Sequence, residues 1–236
     1  MGGVNKMNIL KYNKTVISNT VILTGVLALC ACSSISTKVP QVSPEGMTLA
    51  KNNRSTVAYK REGINFTDYD KIQISSSTVA FKKDWQRDYN RDQRSLSTRV
   101  SDKDVIRIKA DVAQLFDQTL LDEFTQNSNY VMVEQVVAGT LLLKPLIIDL
   151  DINAPDVRSA ANVKNYVQTA GEATLFLELY DAVSGEILAR IIDTRKTRDR
   201  GYYQWATKVS NRQDAKIIIK KWAKSLRIKF DEAHAK

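Results

Sequence analysis

Few residues in this sequence have the types and spacing that chemistry needs. Asp149, Asp151 and Asn153 alternate along one stretch. Side chains two apart on a strand sit about 7 Å from each other, a separation at which paired carboxylates can hydrolyse glycosides. The same residues open like a calcium loop, which needs Gly at its sixth position and Glu at its twelfth. Those positions hold Ala154 and Ala160. A solvated sheet face, with an arginine for partner, is the simpler reading.

A second set mixes arginine with aromatics. It runs Arg195-Lys196-Thr-Arg198-Asp-Arg200-Gly-Tyr202-Tyr203-Gln-Trp205, and an earlier charged stretch over 82–99 holds Trp85, Arg87 and Tyr89. Such residues suit anionic or sugar partners through stacking, cation–π and bidentate contacts. The candidate binding surface is therefore Trp85, Arg87, Tyr89, Arg195, Arg198, Arg200, Tyr202 and Trp205. The alternative is that Asp84, Asp88 and Asp199 pair with these arginines internally. The two segments can form one surface only if the strands before them end on the same side of the sheet.

Other chemistries are missing. His234 is the only histidine, close to the C-terminus, and is expected to be solvated. Cys30 and Cys32 are the only cysteines. Nucleophilic triads that use histidine and His-rich zinc sites are thereby excluded. There is no phosphate loop, dinucleotide fingerprint or G-x-S-x-G elbow. No catalytic residue, metal or cofactor is assigned. The sequence favours a non-enzymatic binding or adaptor module over a carboxylate-only hydrolase. A lipid-carrying module is a third reading, and it needs an apolar cavity between sheet and helices.

The elements that must hold these residues follow from periodicity. β-branched and aromatic residues predict a strand over 71–81. Ser101 to Asp104 forms a capping-box-like start with Asp in place of Glu. Val105, Ile108, Val112, Leu115, Phe116, Leu120 and Phe124 then recur at helical spacing. Tyr130 to Val133 and Thr140 to Asn153 read as strands. In the second, Ile148, Leu150 and Ile152 are expected on one face and Asp149, Asp151 and Asn153 on the other. Tyr166 to Tyr180 and Glu186 to Arg195 read as strands joined by a turn, Asp181 to Gly185. A last helix is expected near Asn211, with Trp222 in its core stripe. The order β-α-β-β-β-β-α predicts an α+β fold, a mostly antiparallel sheet with two main helices on one face.

The N-terminus adds an address. Lys6, Lys11 and Lys14 precede an apolar run from Val21 to Leu29, with no acid before Cys32. A membrane span needs about 20 apolar residues, and Ser18, Asn19 and Thr20 stop this run well short. The segment resembles a bacterial lipoprotein signal. Leu29 stands three before Cys32 and small Ala31 directly before it, the pattern that lipoprotein signal peptidase requires. Cys32 is therefore the expected lipidation site. The predicted plan is a signal peptide over 1–31, a flexible tether over 32–58, with a part around Met47 to Leu49 that could lie on the domain, and one periplasmic domain over 59–236. Loss of residues 1–31 lowers the formal charge from +9 to +6. That resemblance implies acyl chains on Cys32, and Ser33 after it implies the outer membrane, periplasmic face. The partner is open among peptidoglycan, anionic lipid and an envelope protein. Nucleic acid is not expected in that compartment.

From about residue 59 onward the chain resembles a family of bacterial lipoproteins called domain of unknown function 3313. The resemblance rests on Phe81-Lys-Lys-Asp84-Trp85-Gln-Arg-Asp88-Tyr-Asn90, Asp151-Ile-Asn153-Ala154-Pro155-Asp156 and Ala170-Gly171-Glu172-Ala173-Thr174-Leu175. Gly201-Tyr202-Tyr-Gln204-Trp205-Ala206 and Asn211-Arg212-Gln-Asp214-Ala215 complete it. It implies an exported lipoprotein domain and brings no activity or catalytic residue.

Overall fold

The computed structural model describes residues 39–126, 130–155, 157, 165–167, 171–197, 204–206 and 208–234. Cys32 and the expected signal lie outside the described residues. The strands are β1 (Thr48–Asn52), β2 (Thr56–Lys60), β3 (Lys71–Ile74), β4 (Thr78–Phe81), β5 (Val131–Met132), β6 (Thr140–Ile152), β7 (Asn165–Val167), β8 (Gly171–Asp181), β9 (Ile187–Lys196) and β10 (Gln204–Ala206). The helices are α1 (Trp85–Arg91), α2 (Asp102–Gln126) and α3 (Lys208–His234). The main sheet runs β1-β2-β9-β8-β6-β3-β5, with β4 also paired to β6, and β7 pairs with β10 apart from it. β3 and β4 lie parallel to β6, and β5 parallel to β3. The remaining pairings are antiparallel. The fold is α+β, with a mixed, mostly antiparallel sheet and two long helices, as expected.

Local signals produced local structure. Ser101 and Asp104 make the full reciprocal cap of α2. The Asp104 amide donates to Ser101 Oγ (3.2 Å), and the Ser101 amide donates to Asp104 Oδ2 (3.1 Å). A cap of this kind contributes about 1 kcal/mol. In the β8–β9 turn, Asp181 Oδ1 accepts from the amides of Val183 (2.9 Å) and Ser184 (2.7 Å). The Ser184 amide is the main reason the Asp181 carboxyl lies below its usual range. Gly185, at φ 71°, supplies the left-handed residue that closes the turn.

Five expectations are corrected. The strand expected over 71–81 is two strands following the same edge of β6, because Ser75 to Ser77 leave the ladder. The Ser77 amide bonds the Asp117 carboxylate (3.1 Å) and its hydroxyl the Ala113 carbonyl (3.3 Å), both on α2. Part of the expected tether is sheet: β1 and β2 form a hairpin that pairs with β9, and Met47 is fully buried. Ile148 and Leu150 do not share a face. A bulge places Asp149 and Leu150 opposite Ala173 alone, with Asp149 at φ 51°. The extra residue turns Leu150 onto the buried face of Leu141, Leu143 and Ile147. α3 begins at Lys208, before Asn211. The Asn211 side-chain amide, already inside the helix, donates to the Ala154 carbonyl (2.8 Å). His234 is held rather than solvated: Nε2 donates to the Tyr69 carbonyl (2.9 Å), and Nδ1 lies 3.1 Å from the Tyr130 hydroxyl.

The face of the sheet away from the helices carries Phe176, Glu178 and Arg190. Arg190 bonds Glu178 (2.7 Å) and Glu45 (2.8 Å), which ties residues 39–47 across that face. The hydrogen bonds from Arg190 are the first cause that holds the Glu45 carboxyl down at about 2. A depressed folded pKa stabilises above the unfolded value and fades as pH falls through the folded one. The stability difference between the wild type and Glu45→Gln is therefore expected to be full at about pH 6 and to shrink between the ordinary carboxylate value of 4.5 and about 2. Unfolding midpoints measured across that window check it. A difference that stays constant down to pH 2 would show that the pairing is idle.

Candidate functional site

The site arises from a mismatch of widths. The seven strands of the main path, about 4.8 Å apart, span roughly 29 Å. Two helices packed side by side cover about 20 Å. α2 lies on the β4 side, where it holds Ser77, and α3 lies beside it. The inner faces of β9 and β2 are left uncovered beyond α3.

That strip forms an apolar groove of about 600 Å³. Its floor is set by register: Leu177 of β8 stands opposite Ile191 of β9, which stands opposite Ala58 of β2. Alternation puts Leu175 and Leu179 on the same face. The α3 wall is Trp222, Leu226 and Phe230, all buried. Among the described residues, Lys51, Lys60, Arg195 and Lys229 are the cations that border it, and Asp193 is the only acid. Asp193 is buried and engaged. It accepts from Thr56 Oγ1 (3.0 Å) and from Arg195 Nε (2.9 Å). Lys60 sits over the Phe66 ring at 5.1 Å. Lys51 has no partner among the described residues.

A smaller cavity of about 140 Å³ lies between α2, α3 and the β6 bulge. Ile108, Leu115, Leu150 and Ile219 line it, and Trp222 borders both spaces. The Trp222 indole N–H is buried without an acceptor among the described residues. Buried donors are nearly always paired, so this one stands out.

The residues singled out in the sequence are distributed differently. Trp85 is buried, stacked on Phe81 with centroids 4.0 Å apart, and its N–H donates to the Ile152 carbonyl (3.2 Å). Tyr89 stacks on Trp85 at 5.9 Å, and burial raises its hydroxyl pKa. These two rings therefore secure α1 to the sheet. Arg87 is exposed and paired with Asp84 (3.3 Å) and Asp88 (3.1 Å). Arg195 belongs to the groove. Arg198, Arg200 and Tyr202 lie outside the described residues, and Trp205 is placed only as a strand position opposite Tyr166. β4 and β9 do end at the same end of the sheet, where Phe81 meets Leu150 and Lys196 meets Glu172. With Trp85 buried, the described part of that end offers no stacking face from it.

The carboxylate pair does not form an enclosed site. Asp149 is exposed at the bulge, and Asp151 pairs with Lys82 (3.1 Å). Arg190 holds the Glu45 carboxyl and Lys71 the Asp70 carboxyl below the usual range, and the Ser184 amide does the same for Asp181, the reverse of what a general acid needs. Among the described residues no three His, Cys, Asp or Glu side chains stand together. No described helix is long and apolar enough to cross a membrane. Sequence reasoning missed the groove, although Leu175, Leu177 and Ile191 were legible as strand residues. Strand order decides which of them lie beyond the helices.

Comparisons with known proteins agree with the sequence resemblance. The family described as "Protein of unknown function (DUF3313)" matches residues 43–226. No match is found among curated proteins. Two solved structures of the PelC dodecamer from Paraburkholderia phytofirmans, one a point variant, are 13% and 11% identical to this chain. They cover 70% of it and 92% and 93% of their own chains, each at a TM-score of 0.32. At that score the likeness carries no functional argument.

Proposed function

We propose, for a chain that belongs to the DUF3313 family of proteins of unknown function, a non-enzymatic binding module of the cell envelope that holds an acyl chain with an anionic head. Acyl groups on Cys32 would anchor it to the outer membrane, facing the periplasm. The observation that carries the binding reading is the groove between α3, β8, β9 and β2. Its volume of about 600 Å³ lies within the usual 300–1,000 Å³ of ligand sites. Its floor is aliphatic, and of the four cations on its border Arg195 is held by Asp193 and Lys229 by Glu232, while Lys51 and Lys60 have no acid partner among the described residues. A hydrocarbon chain fits the floor, and a phosphate or carboxylate head fits the rim.

Mass spectrometry of the chain purified from membranes tests both parts. About one equivalent of an acyl-bearing anionic lipid should co-purify, and the N-terminal peptide should begin at an acylated Cys32. Ala58→Trp fills the floor and should empty the groove. Lys51→Glu with Lys60→Glu inverts the rim at exposed positions, and should shed the anionic lipid with the melting temperature kept. A chain that is empty as purified, or lipid retained in both variants, would remove the groove reading. An N-terminal peptide without acyl groups would remove the anchor alone.

A further inference from the structure

The outward face of α3 is strongly basic. From Ala215 to Phe230 this helix carries six cations and no acid. Two of them are paired: Arg227 with Glu123 (2.9 Å) and Asp231, and Lys229 with Glu232. The other four, Lys216, Lys220, Lys221 and Lys224, are exposed and have no partner among the described residues. Lys216, Lys220 and Lys224 recur every four residues, so they form one row along the helix. Ile228 continues that row, and Ile217 and Lys221 run beside it. Ile217 is 52% exposed and Ile228 36%. The opposite side of the same helix buries Ile218, Ile219, Trp222, Ala223, Leu226 and Phe230, so the lysine face is not needed for the core.

Four unpaired lysines held close together repel one another, and a protein keeps such a row at a cost. Two exposed isoleucines among them add apolar surface facing water. Both features suit one partner: an anionic lipid surface, whose headgroups neutralise the lysines while the isoleucines enter the acyl boundary. Lysine stems can lie along such a boundary with their ammonium groups in the headgroup layer. A purely charged polymer would use the lysines but not the isoleucines. We infer that the Lys216–Lys220–Lys221–Lys224 face of α3, with Ile217 and Ile228, is a docking surface for an anionic membrane. Ile228 also lines the groove, whereas Ile217 and the four lysines do not, so the inference stands on these five residues whatever fills the groove.

The test is lysine labelling of the full chain, purified from membranes and added to vesicles. One set is phosphatidylcholine alone, and the other contains about one-third phosphatidylglycerol. Any anchor at Cys32 acts equally on both, so the comparison isolates the surface. An acylating reagent with peptide mass spectrometry should show Lys216, Lys220, Lys221 and Lys224 protected roughly threefold or more on the anionic vesicles. Lys83 and Lys103, exposed on other segments, should be unaffected. Protection should vanish in about 0.5 M salt, where screening is nearly complete. Equal labelling on the two vesicle types would overturn the inference. So would a soluble polyanion, without a bilayer, that protects the four lysines as well as the vesicles do.

Discussion

Replacing Trp222 by Ala is expected to lower unfolding stability by about 3–5 kcal/mol, the range for removing a buried tryptophan. Trp222 is 3% exposed and packs edge-on against Phe116 with centroids 6.4 Å apart. It also borders both the 140 Å³ cavity and the 600 Å³ groove, so its loss would join two spaces the fold now keeps separate. Collapse around the gap is opposed by the sheet on one side and α2 on the other. The ring, not its N–H, should carry this effect, because the N–H has no acceptor among the described residues. Trp222→Phe keeps an aromatic ring and removes an unpaired buried donor, whose desolvation costs about 1–3 kcal/mol. It should therefore lose less than about 1.5 kcal/mol. Urea unfolding of both variants separates the cases. A loss below about 1 kcal/mol in Trp222→Ala would show that the site refills itself. A Phe variant as damaged as the Ala one would show that the N–H has an acceptor in the working protein, and a ligand head in the groove would then be the first place to look.

What the sequence made legible was local. The α2 cap needs only Ser101 and Asp104, three residues apart, and the Asp181 turn only five residues. Both could be read because their partners lie within a few positions. The features that escaped depend on distant residues. His234 looks free at the C-terminus because its partners, Tyr69 and Tyr130, lie more than a hundred positions away. β1 and β2 looked like tether because a short strand shows little pattern until β9 is placed beside it. Trp85 looked like a surface aromatic because α1 is only seven residues long and no helical stripe could develop. The bulge at Asp149 escaped for another reason. Leu141, Leu143 and Ile147 keep one phase and Leu150 the opposite one. A strand pattern that breaks phase signals an inserted residue, which an expectation of strict alternation overlooks. The groove is the extreme case, since no single segment contains it.

Gly171→Ala should be the other severe substitution, at about 3 kcal/mol or more. Gly171 sits at φ 150°, where a side chain is strained. A Cβ built there would lie 1.9 Å from the Asp151 carbonyl oxygen. That oxygen is backbone and cannot swing aside as a side chain would. Gly171 pairs with Ile152 in β6 and is fixed on its other side by Thr197. The Gly171 amide donates to Thr197 Oγ1 (3.1 Å), and the Thr197 amide donates to the Gly171 carbonyl (2.9 Å). Relief must therefore come from opening the β6 bulge, which also holds Leu150 in the core and Asp151 against Lys82 (3.1 Å). Overpacking of this kind costs about 1–3 kcal/mol, and the unfavourable φ adds about 1–3. Gly185 is the natural control. Its φ of 71° is also positive, but a Cβ there meets nothing within 4 Å. Gly185→Ala should then show the cost of a positive φ without a clash, about 1 kcal/mol. Urea unfolding of the two variants side by side measures the difference. Equal losses would mean that the bulge gives way freely, and that Leu150 is held in the core by packing rather than by the Gly171–Asp151 approach.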